Sequence, residues 1–262
     1  MTDRLQISIV TPSLNQGAFI ERTVRSVLDQ RGDFALEYLV QDGGSSDGTL
    51  DVLRRYEGRL RLVVEQDGGQ ADAINKGLRA ARGDVVGWLN SDDLLYPGAL
   101  ARVADAFRAR PDLVWLHGRC EIVDEHDRPI RRWVSAYKNF RCRHYSRRSL
   151  LVENYVSQMT VFWRRSAMQR IGYLDESMRY SFDYEYWLRL SELGEPAYLA
   201  DRIAAFRWYA TSKSGSSFER QFQEDEEAFR RHAPPGALLR AHKRLRTAQI
   251  VGAYRLLKAF GS

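Results

Sequence analysis

Val85-Val86-Gly87-Trp88-Leu89-Asn90-Ser91-Asp92-Asp93 is the stretch on which the reading of this 262-residue chain turns. Residues 85–89 form an unbroken apolar or small run. Such a run suits a strand covered on both faces, as in a parallel sheet. It ends abruptly in Asn-Ser-Asp-Asp. In open α/β sheets, ligands sit beyond the carboxyl ends of the strands. Two adjacent carboxylates there repel each other unless a cation or a polyol lies between them. The plainer alternative is a turn, since Asn, Ser and Asp dominate turns.

Upstream, residues 6–11 read as a first strand that Pro12 stops. The loop 13–17 leads to a helix carrying Phe19, Ile20, Val24, Val27 and Leu28. Residues 36–41 read as a second strand, running into Asp42-Gly43-Gly44-Ser45-Ser46-Asp47-Gly48-Thr49, where Asp47 is placed to cap a helix. A third strand over 60–65 passes through Gln66-Asp67-Gly68-Gly69-Gln70 into a helix over 71–81 closed by Gly83. Strands alternating with helices predict a mostly parallel sheet flanked by helices. The loops after the strands then gather at one edge, with Asp42 and Asp93 facing one crevice. The alternative for the Asp42 loop is a plain connection whose glycines permit positive φ.

Downstream, residues 94–110 read as a helix with Pro97 near its start, and 113–118 as a buried strand that 120–123 extend. His117 in that run reads as a core histidine, and residues 125–129 as a turn, not a metal site. Residues 129–152 hold no acid but seven Lys or Arg, with Trp133, Tyr137, Phe140 and Tyr145 interleaved. That mix suits single-stranded nucleic acid, a phosphate-bearing acceptor, an anionic membrane or a solvated basic loop. A helix is expected over 165–171, ending at Gly172, and another at Asp183-Tyr184-Glu185-Tyr186-Trp187-Leu188-Arg189-Leu190. Asp183 falls at its start, where a carboxylate makes a good N-cap. A last strand lies within 198–208. The Ser-rich loop after it suits a lid or a plain linker.

Composition bounds the rest. Apolar content of 44% supports a sizeable core, and Cys120 and Cys142 lack metal-ligand spacing, so free thiols are expected. The N-terminus has no signal-peptide core, and no run reaches the roughly 18 apolar residues of a membrane span. The expectation is a cytoplasmic protein, with peripheral contact on the inner face of the membrane left open. A net charge of +6 suggests an anionic partner.

Val10-Thr11-Pro12-Ser13-Leu14-Asn15, the Asp42 loop, Ala73-Ile74-Asn75-Lys76-Gly77-Leu78, Leu89-Asn90-Ser91-Asp92-Asp93 and the Asp183 segment together resemble the family 2 glycosyltransferases of the GT-A fold. Each motif is weak alone; their order and spacing carry the resemblance, which covers roughly residues 5–215. It implies a GT-A, Rossmann-like domain over 1–215, with a helical extension over 216–262. It implies inverting transfer of a sugar from a UDP-, GDP- or dTDP-sugar to a hydroxyl of a glycan or lipid-linked acceptor, in cell-surface polysaccharide synthesis. Mn²⁺ or Mg²⁺ is the implied cofactor, and Asp93 the implied metal ligand.

By the same resemblance, Asp92 accepts from ribose hydroxyls, Asp42 reads the base edge, and Thr11 and Pro12 line the base pocket. Asn15, Asp72, Lys76 and Asn90 are placed near the nucleotide, and Lys213 or Arg207 near the diphosphate. Asp183 is the implied general base and Glu185 the alternative. Two departures stand out: Phe182 where the family often has Glu, and Tyr209 where many relatives carry a metal-binding His. A nucleic-acid-binding protein or an inactive scaffold of the same fold are the competing readings. Four converging aspartates argue against nucleic acid.

Residues 218–232 read as an acidic amphipathic helix and 238–260 as a basic one, separated by Pro234-Pro235-Gly236. The basic helix is expected to pack on its own domain or on a second copy in a homodimer; an anionic membrane is the alternative.

Overall fold

The computed structural model describes residues 4–209 and 218–259. Its strands are β1 (Gln6–Ser13), β2 (Ala35–Asp42), β3 (Arg61–Val64), β4 (Val85–Trp88), β5 (Leu94–Leu95), β6 (Trp115–Val123), β7 (Phe162–Arg164) and β8 (Ala197–Arg207). They form one mixed sheet in the order β3-β2-β1-β4-β7-β6-β8-β5. The first four are parallel, β7 is antiparallel to both β4 and β6, and β8 returns parallel to β6. The helices are α1 (Ile20–Leu28), α2 (Thr49–Arg54), α3 (Gln70–Ala80), α4 (Ala99–Ala109), α5 (Arg132–Arg143), α6 (Arg147–Val152), α7 (Arg165–Ile171), α8 (Phe182–Leu193), α9 (Phe218–His232) and α10 (Ala237–Ala259).

The apolar run at β4 is continuous because both its faces are covered. Val85 and Leu89 join α1, α2 and α4 in one core, while Val86 and Trp88 face α3, α6, α7 and α8 in the other. Trp88 stacks on Trp187 of α8 with ring centroids 5.3 Å apart, and Trp163 meets both rings edge-on. This cluster fixes the start of α8 relative to the end of β4. Each such ring pair adds about 0.5–1.5 kcal/mol beyond its area burial.

Several boundaries differ from the sequence reading. β1 continues through Pro12 to Ser13. The carbonyl of Val10 accepts from Leu89 N on the β4 side, so two residues later Pro12 also faces that side, beyond the last β4 partner. Its missing N–H leaves no ladder bond unmade. The helix expected from residue 94 begins at Ala99, because Leu94 and Leu95 pair antiparallel with β8 first. The basic segment 129–152 is helical, in α5 and α6, rather than a loop. Gly83 does not cap α3, whose C-cap is Ala81. Gly83 instead abuts β1, where a Cβ would lie 2.6 Å from Ser8 Oγ and 2.7 Å from Ser8 N.

Gly77 of α3 packs flat on β1, and a Cβ there would lie 2.3 Å from Val10 Cγ1. Val10 is fully buried and cannot retreat. Gly77→Ala is therefore expected to destabilise the fold by about 1–3 kcal/mol, despite alanine's better helix propensity. A lowered urea midpoint with an unchanged m-value checks this.

Both cysteines are free and buried, and burial pushes each thiol up to about 12. His117 is fully buried among Trp115, Tyr145 and Tyr198, and burial pushes its pKa down to about 3. It is a neutral core residue, as the sequence suggested. Among the described residues no helix is long and apolar enough to cross a membrane.

Candidate active site

A cleft of about 1160 Å³ opens at the carboxyl ends of the parallel strands. Pro12, Asp67, Asn90, Asp92, Gln158, Asp183 and Tyr209 line one part of it. Helices α5, α9 and α10 wall the rest with Trp133, Tyr137, Lys138, Phe222, Asp225, Lys243 and Arg246.

Asp92 and Asp93 leave β4 with opposite fates. Asp92 is half-buried and lines the cleft, where its Oδ2 accepts from the Tyr209 hydroxyl at 2.8 Å. Asp93 is fully buried and does not line the cleft. Its Oδ1 accepts from Arg207 N at 2.9 Å and its Oδ2 from Asn90 Nδ2 at 3.2 Å. Both oxygens thus accept one hydrogen bond each from the protein, and of the adjacent pair it is Asp92, not the expected metal ligand Asp93, whose side chain lines the cleft. Burial raises the pKa of both carboxyls, and that of Asp93 further through the neighbouring charge of Asp92. Burial and the Asp92 charge also raise Tyr209, which therefore stays a neutral hydrogen-bond donor.

Arg207 was expected near a diphosphate, but its side chain is fully buried. It pairs with Asp127 and donates to the Asp92 carbonyl. Arg22 holds the other oxygen of Asp127 at 2.8 Å. The turn 125–129 thereby locks β8 against the Asp92 loop. Asn90 links three segments: it accepts from Gln70 and donates to Asp93 and to Gln158.

Asp183 lies in the first turn of α8 and lines the cleft. It is not the N-cap, which is Ser181. Its Oδ1 accepts from Tyr184 N at 2.6 Å. The turn is clamped from α9. Glu224 accepts from the backbone N–H groups of Arg179, Tyr180 and Ser181 at 3.0, 2.7 and 2.8 Å. Ser181 Oγ donates to Asp225 at 2.7 Å. Asp225 is buried beside Lys243 of α10, whose ammonium is 5.1 Å from the Tyr184 ring centroid. Burial raises Asp225 and lowers Lys243.

Glu185 faces away from the cleft. Arg189 pairs with it at 2.7 Å and His232 at 3.0 Å. Those partners outweigh burial and hold its pKa below the ordinary carboxylate value, while Glu185 raises that of His232. A histidine whose folded pKa is raised contributes stability fully below its unfolded pKa, lost as pH rises through the folded one. Wild type should exceed His232→Gln in stability by its full margin below the unfolded histidine value of about 6.5. The gap should close above the raised pKa, as urea melts across pH would show.

The remaining expected donor contacts shape the rim instead of lining the cleft. Asp42 is fully buried, accepting from Gly44 N, Ser45 N and Ser45 Oγ at 3.0, 2.7 and 2.8 Å. Its acceptors serve its own loop, so it does not face the crevice. Thr11 is buried against the Tyr38 hydroxyl at 3.1 Å. Asn15, at φ +52°, receives Ser46 N on its side chain and donates its own N–H to Ser45 Oγ. Asp72 accepts from Gly68 N at 2.8 Å, and Lys76 pairs with Glu65 and Asp72. Lys213 lies outside the described residues. Of the four aspartates expected at one crevice, Asp92 and Asp183 line the cleft, and Asp42 and Asp93 are buried beside it.

Asp67, which the sequence reading passed over, does line the cleft, steadied by Gly69 N at 2.9 Å. A signal existed: Gln-Asp-Gly-Gly occurs twice, at 41–44 across the end of β2 and at 66–69 two residues past the end of β3. The contributions of α9 and α10 to the cleft carried no motif.

The glycosyl transferase family 2 model matches residues 8–172. A chondroitin synthase of Escherichia coli is 30% identical over 191 residues, which are 72% of this chain and 27% of that protein. An uncharacterized glycosyltransferase of Mycobacterium tuberculosis is 30% identical over 203 residues, 75% of this chain and 72% of the relative. A mannosyltransferase of Pyrobaculum calidifontis, solved with GDP-Man and Mn²⁺, superimposes with a TM-score of 0.66 at 19% identity, covering 100% of this chain and 77% of that one. The structural neighbours share the GT-A fold. The chain spans well under half the length of the chondroitin synthase.

Proposed function

We propose, from the premise that this chain belongs to glycosyl transferase family 2, that it moves a sugar from a nucleotide-diphosphate donor to an acceptor hydroxyl with inversion. One observation carries the reading: Asp92 at the end of β4 and Asp183 at the start of α8 line the same cleft. The donor lies between Pro12 and Asp67 at the nucleoside end and Asp92 at the diphosphate end. Asp67, rather than Asp42, meets the base edge. The acceptor enters from the side of Gln158, Trp133 and α10.

The donor set suits a hard divalent cation. Among the described residues no group of three or more His, Cys, Asp and Glu forms a metal cage. Asp92 offers a single carboxylate to the cleft, and Mn²⁺ or Mg²⁺ commonly binds through one or two carboxylates, substrate phosphates and water. When bound, the ion offsets the charge that builds on the departing diphosphate. Tyr209 steadies Asp92 without adding charge. Asp183 takes the proton of the acceptor hydroxyl as that oxygen attacks the anomeric carbon. The new bond forms on the face opposite the leaving group, which gives inversion.

The resemblance to a chondroitin synthase supports a glycan or lipid-linked acceptor and a place in cell-surface polysaccharide synthesis. A thermal-shift series with UDP-, GDP- and dTDP-sugars, with and without Mn²⁺, tests the donor side. One base is expected to raise Tm only with the metal. No shift with any donor under either condition would defeat the reading.

A further inference from the structure

We infer that α5 and α10 form a docking surface for an anionic lipid bilayer, with the cleft opening between them and the core. Charge is partitioned across the chain. Residues 129–152 and 233–262 carry seven and six Lys or Arg and no Asp or Glu. Of 40 basic and 34 acidic residues, the rest of the chain therefore holds 27 and 34 and is net acidic, although the whole is net +6. The fold brings the two acid-free segments together. Arg246 of α10 donates to Glu153, just beyond α6, at 3.1 Å and reaches Tyr137 of α5.

Each helix turns its shared contacts inward and leaves a second face open. On α5 that face holds Phe140 and Arg143, with Trp133 at the edge it shares with the cleft; on α10 it holds Leu238, Arg240, Arg244 and Leu245. Leu238, Trp133, Phe140 and Leu245 are 82%, 62%, 61% and 60% exposed, the four highest values among the exposed large hydrophobic side chains of the described residues. An acid-free helical face that mixes arginine with large apolar side chains matches the interface of an anionic bilayer. The cations meet the headgroups and the apolar groups enter the acyl boundary. Single-stranded nucleic acid would use the arginines and rings but gives exposed leucines nothing to stack on. The inference is independent of which donor or acceptor the cleft takes.

The test is co-sedimentation of the full chain with vesicles of phosphatidylcholine alone or mixed with phosphatidylglycerol. Two variants avoid cleft-lining positions: Arg143→Gln/Arg240→Gln/Arg244→Gln, and Phe140→Ser/Leu238→Ser/Leu245→Ser. Wild type should bind the mixed vesicles and not the neutral ones. The charge variant should lose about a hundredfold in affinity, from three cations at a charged surface. The apolar variant should keep its anionic preference but release fully in high salt. An unchanged donor thermal shift shows that both variants are folded. Equal binding to both vesicle types would overturn the inference, as would wild-type binding by either variant. So would a concentration-dependent dimer that the apolar variant abolishes while vesicle binding persists, or stronger binding to an oligonucleotide that displaces the vesicles.

Discussion

Asp183→Asn should leave donor affinity within error of wild type and lower turnover by about 10²–10⁴-fold, the usual worth of a positioned general base. The substitution is nearly isosteric. The amide oxygen still accepts from Tyr184 N, so the first turn of α8 keeps its bond. The Trp88–Trp187 stack and the Glu224 clamp lie outside the change and keep the turn in place. What disappears is the capacity to take a proton. The donor end of the cleft, from Pro12 to Asp92, is untouched, so binding and chemistry separate. Isothermal titration with donor and single-turnover transfer with acceptor read the two quantities independently. Turnover near wild type would remove Asp183 from the reaction. Glu185 would not be the next candidate, because Arg189 and His232 hold it on the far side of the helix.

The sheet was legible because its signals are local. Runs such as residues 85–89 need cover on both faces, and strand–helix alternation then dictates the parallel half. The site was legible by region but not by residue. Adjacent aspartates look equivalent in a sequence, yet in the turn after β4 one side chain faces solvent and the next faces the core. Asp42 and Asp67 share the same tetrapeptide, and only the fold shows that Asp67 borders the cleft while Asp42 is buried in its own loop. Pro12 was misjudged because a ladder's end depends on a neighbouring strand's length. The walls from α9 and α10 come from packing about forty to sixty residues beyond the Asp183 turn, through Glu224, Asp225 and Lys243. No periodicity announces such a contact.

The contrast between Asp92→Asn and Asp93→Asn decides which carboxylate serves the donor. Asp92 lines the cleft, and burial raises its pKa against the opposing hydrogen bond from the Tyr209 hydroxyl. Asp92→Asn removes one buried charge next to another, so folding stability should hold or rise slightly. It also removes the anionic oxygen available to a divalent cation. If that cation supplies several kcal/mol of transition-state charge stabilisation, kcat/KM should fall by about 10²–10³-fold and the dependence on Mn²⁺ should flatten. Asp93→Asn should behave oppositely. Asparagine offers one acceptor where Asp93 accepts from both Arg207 N and Asn90 Nδ2, so one buried donor loses its partner. A loss of about 1–3 kcal/mol in stability is expected, with β8 loosened at Arg207 and Mn²⁺ dependence retained. Urea melts and Mn²⁺ titrations of transfer on both variants give four numbers. Asp93→Asn abolishing the metal response while Asp92→Asn preserves it would return the ligand role to Asp93. That outcome would place the ion on the lone pairs that the Arg207 N and Asn90 Nδ2 donors leave over, while the buried Arg207–Asp127 pair keeps β8 in place.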